Sequence, residues 1–356
     1  MKKTVNFLIA AGIPMIFVIC LLTGTAHGLI KPGELFPRMR FDLSLHKDSS
    51  KYFGLKKDKE IDISEINAQV LMVEVLSVYC VSCMSQTAYD RELYSMIEGN
   101  QKTAGKVKMI GIGAGNNLRE VNKFTDEFSV PYPVFPDYTF AQYNQVGQVR
   151  TPFKVFLRKR GGEFEIIKTE MGANEDVEGT FGTILAILEG RYQEKKKEET
   201  SAEGIKPIDP SLVDQLLKEW LDQRGESRKV KELFEDSGMI VYRIGSEEEI
   251  YAVLVNRLST CDVCKEVQFI YTMDRLGNVL DIIPIHLSKL YNETLNEDDV
   301  DMIKQRIVSR NVRENIPFNS EVDAITSATI TSGLIYDSIN KGGKIYDLLI
   351  EKGYIK

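Results

Sequence analysis

The sequence predicts an α/β chain in two units, a mixed sheet flanked by helices followed by a smaller α+β domain. Three observations predict it. Strand-like and helix-like stretches alternate from Leu29 to about Arg191, a charge run with nearby prolines breaks the pattern, and several strand-like stretches then follow one another. At 356 residues the chain is too long for one ordinary domain and fits two. Apolar residues make up 43% and charged residues 27%, so a sizeable core can form and overall disorder is ruled out. A formal net charge of −7 argues against nucleic acid as a partner, because phosphate neutralisation needs basic patches. Three histidines leave little material for a multi-histidine centre, and no metal is expected.

Residues 1–28 are read first, as an export signal. Met1-Lys2-Lys3 supplies the positive start, Phe7 to Leu22 the apolar run, and Gly24-Thr25-Ala26 a small-residue cleavage site after Ala26. The apolar run is short for a membrane span of ~20 residues. An uncleaved anchor is the alternative, and under either reading the body works outside the cytoplasm. Cys20 does not fit a lipid attachment site, because Val18 and Ile19 stand where small residues are needed.

Residues 29–192 form the first predicted domain. Val70 to Leu76 is a nearly continuous apolar run of strand length, as expected for a strand covered on both faces. A helix is predicted from Cys80 to Ile97, a strand over Val107–Ile112 and an amphipathic helix over Asn117–Phe128. Strands over Phe153–Leu157 and Phe164–Ile167 are joined by a turn at Arg160-Gly161-Gly162, and a helix over Val177–Leu188 closes the unit. Residues 193–236 read as a charged linker with one short helix, Ser211–Arg224, which carries Trp220. Residues 237–356 form the second domain. Its strands are predicted at Met239–Ile244, Ile250–Leu258, Val267–Met273 and Val279–Ile285, with a hairpin turn at Asp274–Asn278. A helix over Glu297–Val308 and a terminal helix beginning at Ile330 complete it.

Cys80 and Cys83 carry the strongest chemical signal. A Cys-x-x-Cys between a buried strand and a helix places its first thiol at the helix N-terminus, where the dipole favours a thiolate. Cys80 is therefore expected to be the exposed nucleophile and Cys83 the resolving thiol. A structural zinc half-site and an inert disulfide are the alternatives. Glu74 lies in the preceding apolar strand. It is either a buried acid of raised pKa that exchanges a proton with Cys83, or a strand acid facing solvent or a partner. Thr151-Pro152 precedes a strand, where a cis peptide would expose backbone to an incoming chain beside the cysteines.

The segment from Leu29 to about Arg191 resembles exported thioredoxin-fold domains of the TlpA-like kind. The resemblance rests on Cys80 and Cys83, on Glu74, on Thr151-Pro152 at that family's cis-proline position, and on Pro32-Gly33-Glu34-Leu35-Phe36-Pro37. It implies thiol–disulfide exchange with protein substrates. Val81-Ser82 replaces the usual proline-containing dipeptide and Tyr79 stands for tryptophan, so the direction of electron flow stays open.

A second signal runs from Asp323 to Ser332. A hydroxyl-rich loop entering a helix is either an anion site or an ordinary Ser/Thr cap. Asp323-Ala324-Ile325-Thr326-Ser327-Ala328-Thr329 resembles the Asp-x-x-Ser/Thr-Gly-Ala-Thr signature of FMN-binding domains in Rnf-type and sodium-pumping NADH:quinone reductase complexes. That resemblance implies FMN esterified to Thr329 by a flavin transferase, within a site formed by Asp323, Thr326, Ser327 and Ala328, and a membrane electron donor. Ser327 replaces glycine, and His286-Leu287-Ser288-Lys289 occupies the place of that family's Glu-Thr-Pro-Gly-rich stretch.

Cys261 and Cys264 form a second Cys-x-x-Cys between two predicted strands, with no helix behind it. They are a structural clip, half of a metal site, or a relay between the flavin and Cys80/Cys83. The expected function is an extracytoplasmic, flavin-linked thiol–disulfide oxidoreductase. The alternative is an FMN electron carrier whose thioredoxin-like part serves only docking or sensing.

Overall fold

The computed structural model describes residues 29–45, 49–55, 60–193, 205, 207–226, 228–245, 250–261 and 264–355. The expected export signal lies outside them. The first domain opens with β1 (Arg40–Asp42), α1 (Ser49–Tyr52) and β2 (Glu60–Asp62), β1 and β2 forming a small ribbon. It continues through β3 (Val70–Leu76), α2 (Val81–Gly99), β4 (Val107–Ala114), α3 (Leu118–Phe128), β5 (Val134–Asp137), α4 (Ala141–Gln145), β6 (Phe153–Arg160), β7 (Glu163–Met171) and α5 (Val177–Leu188). The main sheet has the order β5-β4-β3-β6-β7. Strand β3 runs parallel to β4 and antiparallel to β6.

The apolar run in β3 has its expected cause. Leu71, Val73 and Val75 enter one core, while Val70, Met72 and Leu76 enter the core under α2, α3 and α5. The alternation puts Glu74 on the α2 side. Gly161 and Gly162 both have positive φ, as the tight turn between β6 and β7 requires. Strand β5 was not expected from the sequence. It has four residues, one of them Pro136, and lies at the sheet edge, where a missing N–H costs nothing.

The second domain is a five-stranded antiparallel meander. Its elements are α6 (Pro210–Gln223), β8 (Val230–Asp236), β9 (Met239–Ile244), β10 (Ile250–Arg257), β11 (Val267–Met273), β12 (Val279–His286), α7 (Glu297–Ile307) and α8 (Thr329–Glu351). Segment 193–236, read from the sequence as linker and short helix, supplies both α6 and β8. Val213, Leu217, Trp220 and Leu221 pack on Tyr242, Ile244, Ala252 and Leu254, and Trp220 Nε1 donates to Asp281 Oδ2 at 3.0 Å. Burying each such large apolar side chain is worth ~1.5–3 kcal/mol, enough to hold α6 on the sheet. Helices α7 and α8 cover the other face.

Helix α8 also joins the domains. Phe140 from the first domain and Phe318 and Tyr336 from the second share one continuous core. A Cβ on Gly333 would lie 3.3 Å from the Phe140 ring, so only glycine permits this approach without displacement. Beside this contact, Asp337 on α8 pairs with Arg257 at 2.5 Å and with Lys341 at 2.8 Å, and it accepts from Asn144 Nδ2 at 3.3 Å. This buried polar cluster draws partners from both domains, Asn144 from the first and Arg257 and Lys341 from the second, which fixes how they dock.

Candidate active site

Cys80 caps α2. Its sulfur accepts from the Cys83 N–H at 3.4 Å, and its thiol donates to the Thr151 carbonyl at 3.4 Å. The Thr151–Pro152 peptide is cis. The first domain has the mixed-sheet α/β architecture expected from the sequence. In sequence terms, the loop after the buried strand β3, the first turn of α2 and Thr151, two residues before β6, converge on one point.

The second domain lies on that point. Thr151 N–H donates to the Thr260 carbonyl at 2.5 Å, Thr151 Oγ1 donates to the same oxygen at 2.6 Å, and Thr151 forms a parallel bridge with Cys261. Arg150 Nη1 donates to the Cys264 carbonyl at 2.7 Å and Nη2 reaches Glu266 at 3.5 Å. The Cys261 thiol is a hydrogen-bonding partner of Cys80. Cys80 and Cys261 are both 0% exposed.

This corrects the expectation of an exposed, acidified Cys80. The Cys261 thiol pushes the Cys80 pKa up to about 11, burial adds to it, and the helix-side contact with Cys83 acts the other way without prevailing. Burial holds Cys83 well above the ordinary thiol range, with the Cys80 thiol adding to the effect. Cys264 alone of the four is partly exposed. Iodoacetamide at pH 8 should therefore label Cys264 first. Cys80 would be thiolate in about one molecule in a thousand at that pH. Peptide mass spectrometry over a time course checks the order, and early labelling of Cys80 would contradict the covered site.

Glu74 is buried, and burial followed by the nearby Asp90 raises its pKa to about 8. It accepts from Tyr132 Oη at 2.7 Å and is register partner to Lys154 of β6, which pairs with Asp90 at 2.7 Å. No direct hydrogen bond joins Glu74 to Cys83; its neighbours are Tyr132, Asp90 and Lys154. Asp90 and Lys154 were missed in the sequence. The signal was a lysine inside the apolar stretch Phe153–Leu157, matched by an aspartate seven residues beyond Cys83 on the same helix face.

Ser327, Ala328 and Thr329 line a cleft partly open to solvent, together with Tyr79, Ser259, Cys264, Ser288, Lys289 and Leu290. Thr329 begins α8, and Ala328 at its N-cap gives no side-chain cap, so the first amides of a 23-residue helix lack that partner. Ser327, standing for the signature's glycine, has φ +60°, the left-handed conformation that glycine adopts freely. Asp323 and Thr326 do not line the cleft. Asp323 pairs with Arg306 at 2.8 Å and accepts from Asn319 N–H at 2.7 Å, which ties down the loop leading to it. Tyr79 Oη donates to Glu120 at 2.6 Å, and Ser320 donates to the same carboxylate, holding this loop to the first domain. Among the described residues no group of three or more His, Cys, Asp or Glu could hold a metal ion.

No family model and no curated protein sequence matches the chain. Among solved structures, the chain is similar to the thioredoxin domain of a thiol-disulfide oxidoreductase from Bacteroides vulgatus. The identity is 13%, over 43% of this chain and 96% of that one, with a TM-score of 0.33. It is also similar to StoA from Bacillus subtilis, with 15% identity over 42% and 98% of the two chains and a TM-score of 0.31. A third is a secreted Mycobacterium tuberculosis disulfide oxidoreductase, with 11% identity over 36% and 89% and a TM-score of 0.29.

Proposed function

We propose that the chain is an extracytoplasmic thiol–disulfide oxidoreductase, with Cys80 and Cys83 as its reacting pair and FMN carried on Thr329. The observation that carries the first part is the convergence of the α2 N-terminus, the Thr151 carbonyl and two thiols within one buried contact. The Cys80 thiolate attacks one sulfur of a partner disulfide, the other sulfur leaves, and Cys83 then displaces the partner from Cys80. One disulfide is reduced and Cys80–Cys83 is oxidised, a two-electron exchange. An outside protein disulfide reaches Cys80 only once the Thr260–Cys261 segment leaves Thr151.

Support for the flavin comes from the cleft. The amides of Thr329, Ile330 and Thr331 would hold the phosphate at the start of α8, and the Thr329 hydroxyl is the ester position. When bound, FMN supplies a group that takes or gives electrons singly or in pairs. Ser288, Lys289 and Leu290 line its surroundings, and Cys264 lies in the same cleft. A membrane donor and an extracytoplasmic flavin transferase complete the proposed partners.

Insulin reduction by the purified protein with dithiothreitol tests the exchange activity. Cys80→Ser should lose at least ~100-fold in rate, as removal of the nucleophile does elsewhere. Turnover that survives in Cys80→Ser would remove Cys80 from its role.

A further inference from the structure

We infer that Cys261 is a built-in substrate of Cys80, so that the two Cys-x-x-Cys pairs exchange within one molecule through a Cys80–Cys261 mixed disulfide. This rests on the reading of Cys80/Cys83 as an exchanging pair and names that pair's first partner. The segment ending at Cys261 is held in the position an extended substrate would take. Its backbone pairs with Thr151 beside the cis bond, with the Thr260 carbonyl accepting from both the Thr151 amide and its hydroxyl. Arg150, one residue earlier, grips the far side of the pair at the Cys264 carbonyl and at Glu266. These contacts leave the Cys261 thiol against Cys80, while Cys264 lies in the cleft with Thr329. The inner thiol of the second pair thus faces the first pair, and the outer one faces the cleft and solvent.

The exchange balances without another reagent. With Cys80–Cys83 oxidised and the second pair reduced, the Cys261 thiolate attacks Cys80 and Cys83 leaves as a thiolate that takes up a proton. The Cys264 thiolate then attacks Cys261, forming Cys261–Cys264 and freeing Cys80, which is protonated. Two electrons move to the first pair, and each step reverses. Both pairs stay in place throughout, so the rate does not depend on protein concentration.

The full-length double variant Cys83→Ser/Cys264→Ser, mildly oxidised with glutathione disulfide, should form a Cys80–Cys261 link within one chain, at a rate independent of protein concentration. Non-reducing digestion and mass spectrometry identify it. The companion Cys83→Ser/Cys261→Ser should link Cys80 to Cys264 at least ~10-fold more slowly. Adding Arg150→Ala to the first variant should slow linking roughly tenfold, the worth of one charge-assisted hydrogen bond. Wild-type protein, partly reduced and acid-quenched, should contain the same Cys80–Cys261 peptide, a readout that needs no substitution. Absence of that peptide from both wild type and double variant, links only between molecules, or equally fast linking to Cys264 would overturn the inference. If linking fails while insulin is still reduced, only the internal substrate is lost. If linking succeeds while insulin is untouched, the outward activity is what fails.

Discussion

Lys154→Ala should destabilise the first domain by about 3–5 kcal/mol at pH 9, and by clearly less at pH 6. Lys154 is 1% exposed and pairs with Asp90 at 2.7 Å, opposite Glu74 on the neighbouring strand. Removing the ammonium leaves two buried carboxyls facing each other without a cation, which is the costly way to break such a cluster. The pH dependence follows from Glu74. Its folded pKa of about 8 lies above its ordinary value, so between roughly pH 4.5 and 8 the folded chain keeps a proton that the unfolded chain has lost. The wild type therefore loses stability as pH rises through that window. Without Lys154, protonation of Glu74 still removes one of the two buried charges, so the deficit shrinks toward low pH and grows above pH 8. Asp137, which burial raises to about 7, adds the same slope to both proteins and cancels in the difference. Urea unfolding at the two pH values measures it. Lys154→Met keeps the buried stem and isolates the charge. A loss under ~1 kcal/mol, or an equal loss at both pH values, would mean that the cluster does not hold the charge assigned to it.

How much of this was legible in the sequence depended on the range of the interactions. The continuous apolar run Val70–Leu76 followed by Cys80 is a local pattern, and it located the strand, the helix start and the thiol pair together. Thr151-Pro152 was legible for the same reason. Strand β8 was not, because Val230–Asp236 is an edge strand whose charged residues, Lys231, Glu232, Glu235 and Asp236, resemble linker composition. The position of Cys261 was beyond any local pattern. It depends on α8 docking through Gly333 against Phe140 and on Asp337 joining Arg257 to Asn144, contacts between residues some 80 to 190 positions apart. The same docking reverses the expected state of Cys80, since a helix N-terminus that would acidify an exposed thiol does not outweigh a covering thiol and burial. His286-Leu287-Ser288-Lys289, a departure from the FMN signature at the sequence level, has its last two residues on the cleft wall.

Thr329→Ala should abolish covalent flavin altogether when the protein is co-expressed with a flavin transferase. Thr329 is partly exposed at the first position of α8 and lines the cleft, so its hydroxyl is reachable. The other hydroxyls are less suited. Thr331 is 6% exposed, and its hydroxyl already donates to the Ser288 carbonyl at 2.6 Å. Thr326 does not line the cleft, which leaves Ser327 as the competitor within the Asp323–Thr329 stretch. Ser327 holds a left-handed backbone that costs a side-chain-bearing residue roughly 1–2 kcal/mol relative to glycine. Ser327→Gly should therefore keep the flavin, raise loading if the side chain hinders the transferase, and stabilise the loop. Fluorescence of denatured protein in a gel reads all three chains. A fluorescent Thr329→Ala band that disappears in Thr329→Ala/Ser327→Gly would move the ester to Ser327, and a dark wild-type band beside an active transferase would end the covalent-flavin reading.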